Sequence, residues 1–324
     1  MQNQNCILVT GGAGFIGSNF TRFAVEEFKE VYVLDKLTYA GDKARLADIE
    51  DEIQFIHGEL GDRDVLGELY EKVDKVVNFA AHSHVDRSIE NGEAFVRNNV
   101  EGTFTALDVL RNHDIDIFLQ MSTDEVYGSI QTGEFTEGSQ LNPSSPYSAS
   151  KASADLFANA FQTTYGLPIS IVRPTNVYGP RQHPEKLIPK FVLRALHGER
   201  LPVYGDGSNV RQWLFVDDLC EALLAILAAE KTDIFHIGGS AMKSNLEVTE
   251  MILDFVDASN ELIEFVKDRK GHDFRYALDD TKLRATFKDL SETPFEIGLE
   301  ETVQWYEENE RWLVDRYGDE IRSE

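Results

Sequence analysis

The chain has 324 residues, of which 42% are hydrophobic and 27% are charged, a balance typical of a globular protein with a substantial buried core. The formal net charge of −26 argues against nucleic-acid or anionic-membrane partners, and the longest apolar run, within 221–230, is too short to span a bilayer. No secretory signal is visible, and Cys6 and Cys220 lie in apolar patterns without metal-type spacing, so we expect buried thiols in a reducing cytoplasm and no metal site.

The first half of the chain alternates short β-branched strands with helical segments, which is typical of a parallel sheet covered on both faces. Strands are predicted at residues 6–10, 31–35, 53–57, 75–81, 117–122 and 169–173. Helices are predicted at 15–28, 93–112 and 147–165, and Gly166 and Pro168 end the last of these. The predicted fold class is α/β, with a Rossmann-type doubly wound parallel sheet.

The second half of the chain has a different pattern. From Asn176 onward prolines and glycines cluster, and strands no longer alternate strictly with helices, which indicates a smaller C-terminal substrate-binding lobe. We predict a Rossmann domain at 1–175, to which 207–240 returns, and a second lobe formed by 176–206 and 241–324. An amphipathic helix is predicted at 299–317.

A glycine-rich loop stands between the first predicted strand and the first predicted helix. Gly11 permits a tight turn, Gly14 lets the backbone approach a pyrophosphate, and Gly17 lets the helix pack closely on the sheet. The helix begins at Phe15 and Ile16, and its N-terminus offers unpaired N–H groups and a partial positive charge to phosphates. The pattern predicts a dinucleotide site.

Asp35 ends the second predicted strand, where a carboxylate accepts hydrogen bonds from ribose hydroxyls and repels a 2′-phosphate. We therefore expect NAD rather than NADP, although Lys36 beside it is a cation. Four residues that follow the third and fourth strands are expected to line the same site: Glu59, Leu60, Ala80 and Ala81.

Tyr147 and Lys151 are four residues apart on a predicted helix, so their side chains share one face. A phenol, with a reference pKa of about 10, is a poor base at neutral pH. A nearby ammonium, together with a positively charged nicotinamide, favours the phenolate. The pair therefore predicts a base, Tyr147, activated by Lys151, which also holds the nicotinamide ribose.

With these features, the chain resembles the extended short-chain dehydrogenase/reductase family over essentially its whole length, and within it the dTDP-glucose 4,6-dehydratases. The resemblance is carried by five segments: Ser-His-Val-Asp-Arg-Ser-Ile at 83–89, Ser-Thr-Asp-Glu-Val-Tyr-Gly at 122–128, Tyr-Ser-Ala-Ser-Lys at 147–151, Pro-Glu-Lys-Leu-Ile-Pro at 184–189 and Gly-His-Asp at 271–273. Related epimerases and decarboxylases generally lack the adjacent Asp124 and Glu125, so this pair is the discriminating feature.

The resemblance implies a catalytic cycle that converts dTDP-glucose to dTDP-4-keto-6-deoxyglucose. Tyr147 removes the O4 proton while C4 is oxidised, and Thr123 orients O4. Glu125 then takes the C5 proton, and Asp124, protonated, donates to the departing O6. Two neighbouring carboxyl groups with opposite tasks require environments that separate their pKa values.

The resemblance also implies contacts to the rest of the substrate, from eight residues: His82, Ser83, Asn176, Glu185, Lys186, Tyr204, Arg211 and His272. Asn176 and Arg211 are expected at the diphosphate, although an interdomain salt bridge of Arg211 stays open. His82 stands where the dTDP-glucose enzymes typically have a glutamate, and Val177 where they often have a second asparagine. The hexose, and thymidine or uridine as the base, therefore stay open.

Four alternatives remain: a UDP-sugar 4,6-dehydratase, a nucleotide-sugar C4-epimerase, an enzyme that only oxidises C4, and a nucleotide-sensing binding module. A product that has lost water separates the dehydratases from the others. Because the chain is acidic and the expected substrate is a polyanion, local positive groups must overcome the overall field. The acids are interpreted as solvated surface charge, with a salt-rich source as the alternative. The family usually forms dimers through helices matching 93–112 and 147–165, so a homodimer is expected.

Overall fold

A computed structural model describes residues 5–268 and 273–322 of the chain. In these ranges the strands are β1 (Cys6–Thr10), β2 (Glu30–Asp35), β3 (Ile53–His57), β4 (Lys75–Asn78), β5 (Ile117–Met121), β6 (Ile169–Pro174), β7 (Asn176–Tyr178), β8 (Leu201–Tyr204), β9 (Val210–Phe215), β10 (Ile234–Ile237), β11 (Ala241–Ser244) and β12 (Ile263–Val266). The helices are α1 (Phe15–Glu27), α2 (Arg63–Tyr70), α3 (Val85–Glu90), α4 (Gly92–Phe95), α5 (Gly102–Leu110), α6 (Pro146–Tyr165), α7 (Leu187–Leu196), α8 (Val216–Ala229), α9 (Asn245–Phe255), α10 (Thr281–Thr286) and α11 (Phe295–Arg322).

The main sheet has seven parallel strands in the order β10-β6-β5-β4-β1-β2-β3. The chain winds outward from β1 in one direction and from β4 in the other, so the strand order reverses between these two strands. In such sheets ligands bind at this reversal, outside the carboxyl ends of the strands. The predicted doubly wound α/β fold class is confirmed.

Helices cover both faces of this sheet because its central strands are apolar on both sides. In β1, Ile7 and Val9 belong to a core shared with α1 and α8. Cys6 and Leu8 face the opposite way, into a core shared with α2, α5 and α6. Both faces are buried, and each aliphatic side chain removed from water contributes about 1.5–3 kcal/mol.

A smaller lobe sits beside the main sheet and has its own core. A three-stranded sheet, β11-β9-β7, and the parallel pair β12-β8 lie with α7, α9 and α11. α11 begins at Phe295 and ends at Arg322, so it is longer at both ends than the predicted 299–317 helix. No helix in the described ranges is long and apolar enough to cross a membrane.

Helix α6 has strong signals at both ends. Ser145 and Ser148 form a capping box, Pro146 occupies the first turn, and Gly166 ends the helix in the left-handed conformation. The helix therefore begins one residue before the predicted 147–165 segment. It presents Tyr147 to the carboxyl end of β5.

Two other predicted elements were wrong in detail. The strand predicted at 75–81 ends at Asn78, whose side chain bonds those of Thr10 and Gln120 on the neighbouring strands, and residues 79–84 form a loop across the sheet end. The helix predicted at 93–112 is α4 and α5 with a π-helical segment, Val96–Glu101, between them. The wider turn points Asn99 inward, where its amide donates to the His82 carbonyl and to the Ser150 hydroxyl, both at 2.9 Å.

Candidate active site

Two clefts open at the carboxyl ends of the main sheet. The first, of about 220 Å³, lies over β1, β2 and β4, and the second, of about 1460 Å³, lies between the main sheet and the smaller lobe. Glu185 and Lys186 line both, so the two clefts are continuous. All of the residues predicted to contact the dinucleotide line the first cleft: Gly11, Gly14, Phe15, Ile16, Gly17, Asp35, Glu59, Leu60, Ala80, Ala81, Tyr147 and Lys151.

The glycine loop forms the floor of the first cleft. Gly11 has a φ of +69°, and a Cβ there would lie 2.6 Å from the Ala80 nitrogen. A Cβ at Gly17 would collide with the Gly11 carbonyl oxygen. α1 begins after Gly14, and no side chain at this N-cap position caps the helix, so the N–H groups of its first turn are not used by a capping side chain there. This backbone cradle fits the pyrophosphate of a dinucleotide.

Asp35 is held in a fixed orientation at the rim of the same cleft. One oxygen of its carboxylate accepts from the Ala13 N–H at 2.9 Å and the other from the Leu37 N–H at 2.7 Å. Burial raises the pKa of Asp35, and the two N–H donors oppose that effect. Lys36 forms an ion pair with Glu59, which therefore partly neutralises the cation next to Asp35. The arrangement suits a ribose diol better than a phosphate.

The side chains of Tyr147, which lines the first cleft, and Thr123 are in contact. The Thr123 side chain caps the 3₁₀ turn Asp124–Tyr127 by accepting from the Glu125 N–H at 3.3 Å, and it also bonds the Tyr147 phenol. Burial, and then the charge of Glu125, raise the pKa of Tyr147 well above its ordinary value, while the bond to Thr123 lowers it. A phenolate at this position therefore needs nearby positive charge.

Lys151 lies one turn further along α6 and is 4% exposed. Its ammonium donates to the Met121 carbonyl at 2.6 Å, at the end of β5. Burial lowers the pKa of Lys151 to about 8, and the charge of Asp155 opposes that effect. The lysine is therefore positioned to supply positive charge next to Tyr147 at neutral pH.

Asp124 and Glu125 are adjacent in sequence but lie in different environments. Asp124 is 3% exposed, and its Oδ2 has no hydrogen-bond partner among the described residues. Burial, and then the charge of Glu125, raise the pKa of Asp124 to about 7. Glu125 instead lines the second cleft. The pair thus combines a carboxyl group that keeps its proton near neutral pH with a carboxylate that faces a ligand-sized cavity.

The second cleft concentrates positive charge in an acidic chain. It is lined by seven of the 31 lysines and arginines, against six acidic residues, whereas the whole chain carries −26. The seven are Arg87, Lys186, Lys190, Arg194, Arg200, Arg211 and Lys267. The local positive groups that a polyanionic ligand requires are therefore present.

Three of the predicted substrate residues lie along the second cleft between β7, β8 and β9. Arg211, 5% exposed, donates to the carbonyls of Val210, Asp273 and Phe274 and stacks over an aromatic ring. Asn176 lies at the start of β7, and its Oδ1 has no hydrogen-bond partner among the described residues. Tyr204 ends β8 and is 38% exposed. His272 lies outside the described residues.

Glu185 and Lys186 close the wall between the two clefts. The Arg87 guanidinium donates to the Glu185 carboxylate at 3.2 Å, and the Lys186 ammonium donates to the Ser83 carbonyl at 3.1 Å. Arg87 also lies 4.0 Å from the centroid of the Tyr39 ring. Through these contacts the loop after β4 is attached to the smaller lobe.

His82 and Ser83 line the first cleft rather than the second. The His82 ring stacks parallel to that of Tyr39, with centroids 5.8 Å apart. Burial, and then the charges of Lys36 and Arg87, lower the pKa of His82, so the imidazole is neutral at pH 7. His82 therefore lies on the dinucleotide side of the junction between the two clefts, which Glu185 and Lys186 form. No cluster of metal-binding side chains occurs within the described ranges.

Sequence reasoning missed three residues at this junction: Tyr39, Arg87 and Asn99. Asn99 had a detectable signal, because an uncharged polar residue at a core position of a predicted helix requires partners. Arg87 lies inside a segment that carried the family resemblance but received no role. Nothing in the sequence around Tyr39 indicated that its ring packs against three distant side chains, those of His82, Arg87 and His183.

Comparison with known proteins gives a consistent set of relatives. Residues 8–302 match the family described as GDP-mannose 4,6 dehydratase. The chain is 52% identical to the low-salt glycan biosynthesis protein Agl12 of Haloferax volcanii, over 93% of this chain and 98% of that protein. It is 45% identical to a dTDP-glucose 4,6-dehydratase of Streptomyces niveus, over 94% of each. The crystal structure of DesIV, a dTDP-glucose 4,6-dehydratase from Streptomyces venezuelae with NAD bound, matches with a TM-score of 0.93 and 46% identity, over 96% of this chain and 99% of that one.

Proposed function

The chain belongs to the GDP-mannose 4,6 dehydratase family, and we propose that it is an NAD-dependent dTDP-glucose 4,6-dehydratase. The protein is a hydro-lyase that makes a 4-keto-6-deoxy sugar nucleotide, as expected from the sequence. The single observation that carries the proposal is the pairing of Asp124, a buried carboxyl group whose pKa burial raises to about 7, with Glu125 beside the Thr123–Tyr147 contact. An enzyme that only oxidises or epimerises C4 has no use for such a pair.

The chemistry explains why a dinucleotide and two carboxyl groups are needed together. The C5 proton of a hexose is not acidic, and the C6 hydroxyl is a poor leaving group. Oxidation of C4 to a ketone makes the C5 proton acidic, because the resulting carbanion is an enolate. When bound, NAD accepts the hydride from C4 and returns it to C6, so no net oxidant is consumed.

The side chains divide the proton transfers among them. Tyr147 takes the proton from O4, and Lys151 supplies the positive charge that the phenolate needs. Thr123 holds O4 in line with Tyr147. Glu125, which lines the second cleft, removes the C5 proton, and Asp124 gives its proton to the departing O6. C5 is protonated again as the hydride reaches C6, which completes the 4-keto-6-deoxy sugar. Each group is thus assigned the task that its pKa or its position suits.

The remaining predicted residues are assigned to binding. The residues of the first cleft hold NAD, with the ribose diol on Asp35 and the pyrophosphate over the glycine loop. Arg211 and Asn176 bind the diphosphate, and Glu185, Lys186 and Tyr204 line the base pocket. This assignment follows the predicted division into an NAD-binding Rossmann domain at 1–175 joined by 207–240 and a nucleotide-sugar lobe at 176–206 and 241–324, except that β9 (Val210–Phe215) pairs with β7 and β11 in the smaller lobe.

We further propose a homodimer that pairs α5 and α6 with their copies. Phe104 on α5, and Leu156 and Phe157 on α6, are 36%, 61% and 36% exposed, and they form an apolar surface on adjacent helices. Leu156→Glu is expected to convert a dimer to a monomer in sedimentation. Ile297→Glu, at a position on α11 that is 54% exposed, is the control that leaves the mass unchanged.

The thiols of Cys6 and Cys220 are both buried and free, which supports a reducing, cytoplasmic location.

The test is to incubate the purified protein separately with dTDP-glucose, UDP-glucose and UDP-N-acetylglucosamine and to record product masses. We expect the mass of one water to be lost from dTDP-glucose. Loss of water from a UDP-sugar alone would reassign the base, and an unchanged mass with an altered sugar configuration would indicate an epimerase. No change in any substrate would refute the proposed activity.

A further inference from the structure

A buried carboxylate lies behind the Tyr147–Lys151 pair and has no part in the cycle above. Asp155 is one further turn along α6, so the three side chains follow one another on one face of the helix. It is 1% exposed. Its Oδ2 accepts from the Ser122 hydroxyl at 2.8 Å and from the Arg173 guanidinium at 2.9 Å, and its Oδ1 has no hydrogen-bond partner within the described residues.

Lys151 needs a negative charge that its own hydrogen bond does not supply. The Met121 carbonyl, which accepts from its ammonium, carries only a partial charge, and the lysine is almost fully buried. A buried ammonium without a counter-charge tends to lose its proton, because removing the neutral amine from water costs less free energy than removing the cation. The electrostatic contribution that raises the pKa of Lys151 comes from Asp155.

Asp155 forms an ion pair with Arg173 of β6 at 2.9 Å, and Lys151 lies one turn before it on the same helix, where the charges of Asp155 and Lys151 interact. The Arg173 guanidinium also donates to the Tyr127 hydroxyl, which in turn bonds His236 at 2.6 Å on β10. The Arg173 guanidinium keeps its proton at every working pH. A change in the charge of Asp155 therefore alters the protonation of Lys151 and not that of Arg173.

We propose that Asp155 is a positioning residue for the reaction: its carboxylate is the counter-ion that keeps the Lys151 ammonium charged next to Tyr147. The proposal rests on the proposed function, because it assigns the lysine to activation of the tyrosine. It predicts that Asp155 and Arg173 act in opposite directions on one observable, the pH at which activity is lost on the alkaline side.

The test is the pH profile of C4 oxidation, followed by absorbance of the reduced nicotinamide in a single turnover with dTDP-glucose. Asp155→Asn keeps the shape and the bond to Ser122 but removes the charge, so the alkaline limb is expected to move down by about 1–3 pH units. Arg173→Gln removes the competing cation, so the limb is expected to move up. A residue with a merely structural role would lower the rate without moving the limb.

Asp218→Asn is the matched control, because Asp218 is also a buried acid, its carboxylate accepts from the Thr293 N–H and hydroxyl, both at 2.7 Å, and neither residue lines a cleft. It is expected to lower the unfolding temperature and to leave the limb in place. If Asp155→Asn does not fold, the upward shift in Arg173→Gln carries the test. Limbs that coincide with wild type in both variants would overturn the proposal, whereas a wild-type enzyme that never oxidises the sugar would overturn the proposed function instead.

Discussion

Replacing Asp124 by asparagine removes a titratable group from the buried centre of the site while keeping its size. Burial and the charge of Glu125 raise the pKa of Asp124 from 3.8 to about 7. Between those two pH values the unfolded carboxyl has lost its proton and the folded one keeps it, so the free energy of unfolding falls as pH rises through this window. At 1.36 kcal/mol per pKa unit, the loss is about 4 kcal/mol, of which about 3 kcal/mol falls between pH 5 and pH 8.

The asparagine side chain of Asp124→Asn does not titrate, so this fall in the free energy of unfolding with rising pH does not occur in the variant. Relative to wild type, it is expected to be about 3 kcal/mol more favoured at pH 8 than at pH 5, measured by urea unfolding without substrate. The dehydration activity of Asp124→Asn should fall, although its stability at pH 8 rises. Because an amide cannot serve as the acid for O6, dehydration is expected to fall by about 10²–10⁴-fold, while C4 oxidation continues and reduced nicotinamide accumulates.

The reasoning would be refuted by a stability difference between Asp124→Asn and wild type that is the same at pH 5 and pH 8. Glu125→Gln is the control for the cause of the shift. It removes the second of the two contributions that raise the pKa of Asp124. In that background the gain from Asp124→Asn at pH 8 should become smaller without vanishing, since burial remains.

Three further substitutions test the other parts of the site. Glu125→Gln should stop dehydration while C4 oxidation continues, because an amide cannot take the C5 proton; product mass and reduced-nicotinamide absorbance follow the two steps. Glu59→Gln frees Lys36 from its ion pair, so the ratio of NADP to NAD affinity should rise about fivefold by calorimetry. Gly17→Ala forces a Cβ against the Gly11 carbonyl oxygen, so it should cost about 1–3 kcal/mol of unfolding free energy and weaken NAD binding.

Each of these three predictions has an outcome that would contradict it. Dehydration at the wild-type rate in Glu125→Gln would remove Glu125 as the base. For Glu59→Gln the control is Glu93→Gln, which breaks an exposed ion pair between residues that line neither cleft. An equal ratio of NADP to NAD affinity in the two variants would contradict the role of the Lys36–Glu59 ion pair. For Gly17→Ala the control is Gly67→Ala in α2, where nothing lies within 4 Å of the added Cβ, and equal stability of the two variants would contradict the steric argument.

The first half of the fold could be predicted because its signals are local. The strands of the main sheet are apolar runs closed by turn residues, and the glycine loop has steric demands that few other residues meet. Tyr147 and Lys151 lie on one helix, so their spacing alone placed them together. The start of α6 also follows from its sequence, since Ser145, Pro146 and Ser148 form a recognisable cap.

The smaller lobe and the junction could not be predicted, since they depend on contacts between distant segments. β8 and β12 have four residues each, too few for a periodic pattern, and their partners are more than 50 residues apart in sequence. The inward turn of Asn99 depends on a π-helical segment within an ordinary helical sequence. The placement of His82 on the dinucleotide side follows from the end of β4 at Asn78, three residues before the predicted end, and no residue pattern indicated that earlier end.

The charge distribution has a kinetic consequence for substrate capture. The chain's −26 charge acts over long distances, whereas the seven cations of the second cleft act only once a ligand is close. Dissolved ions screen charges beyond about 10 Å at 0.1 M, so they weaken the distant repulsion more than the contacts inside the cleft. The association rate constant of a nucleotide diphosphate sugar should therefore rise with ionic strength, opposite to the trend of electrostatically steered enzymes.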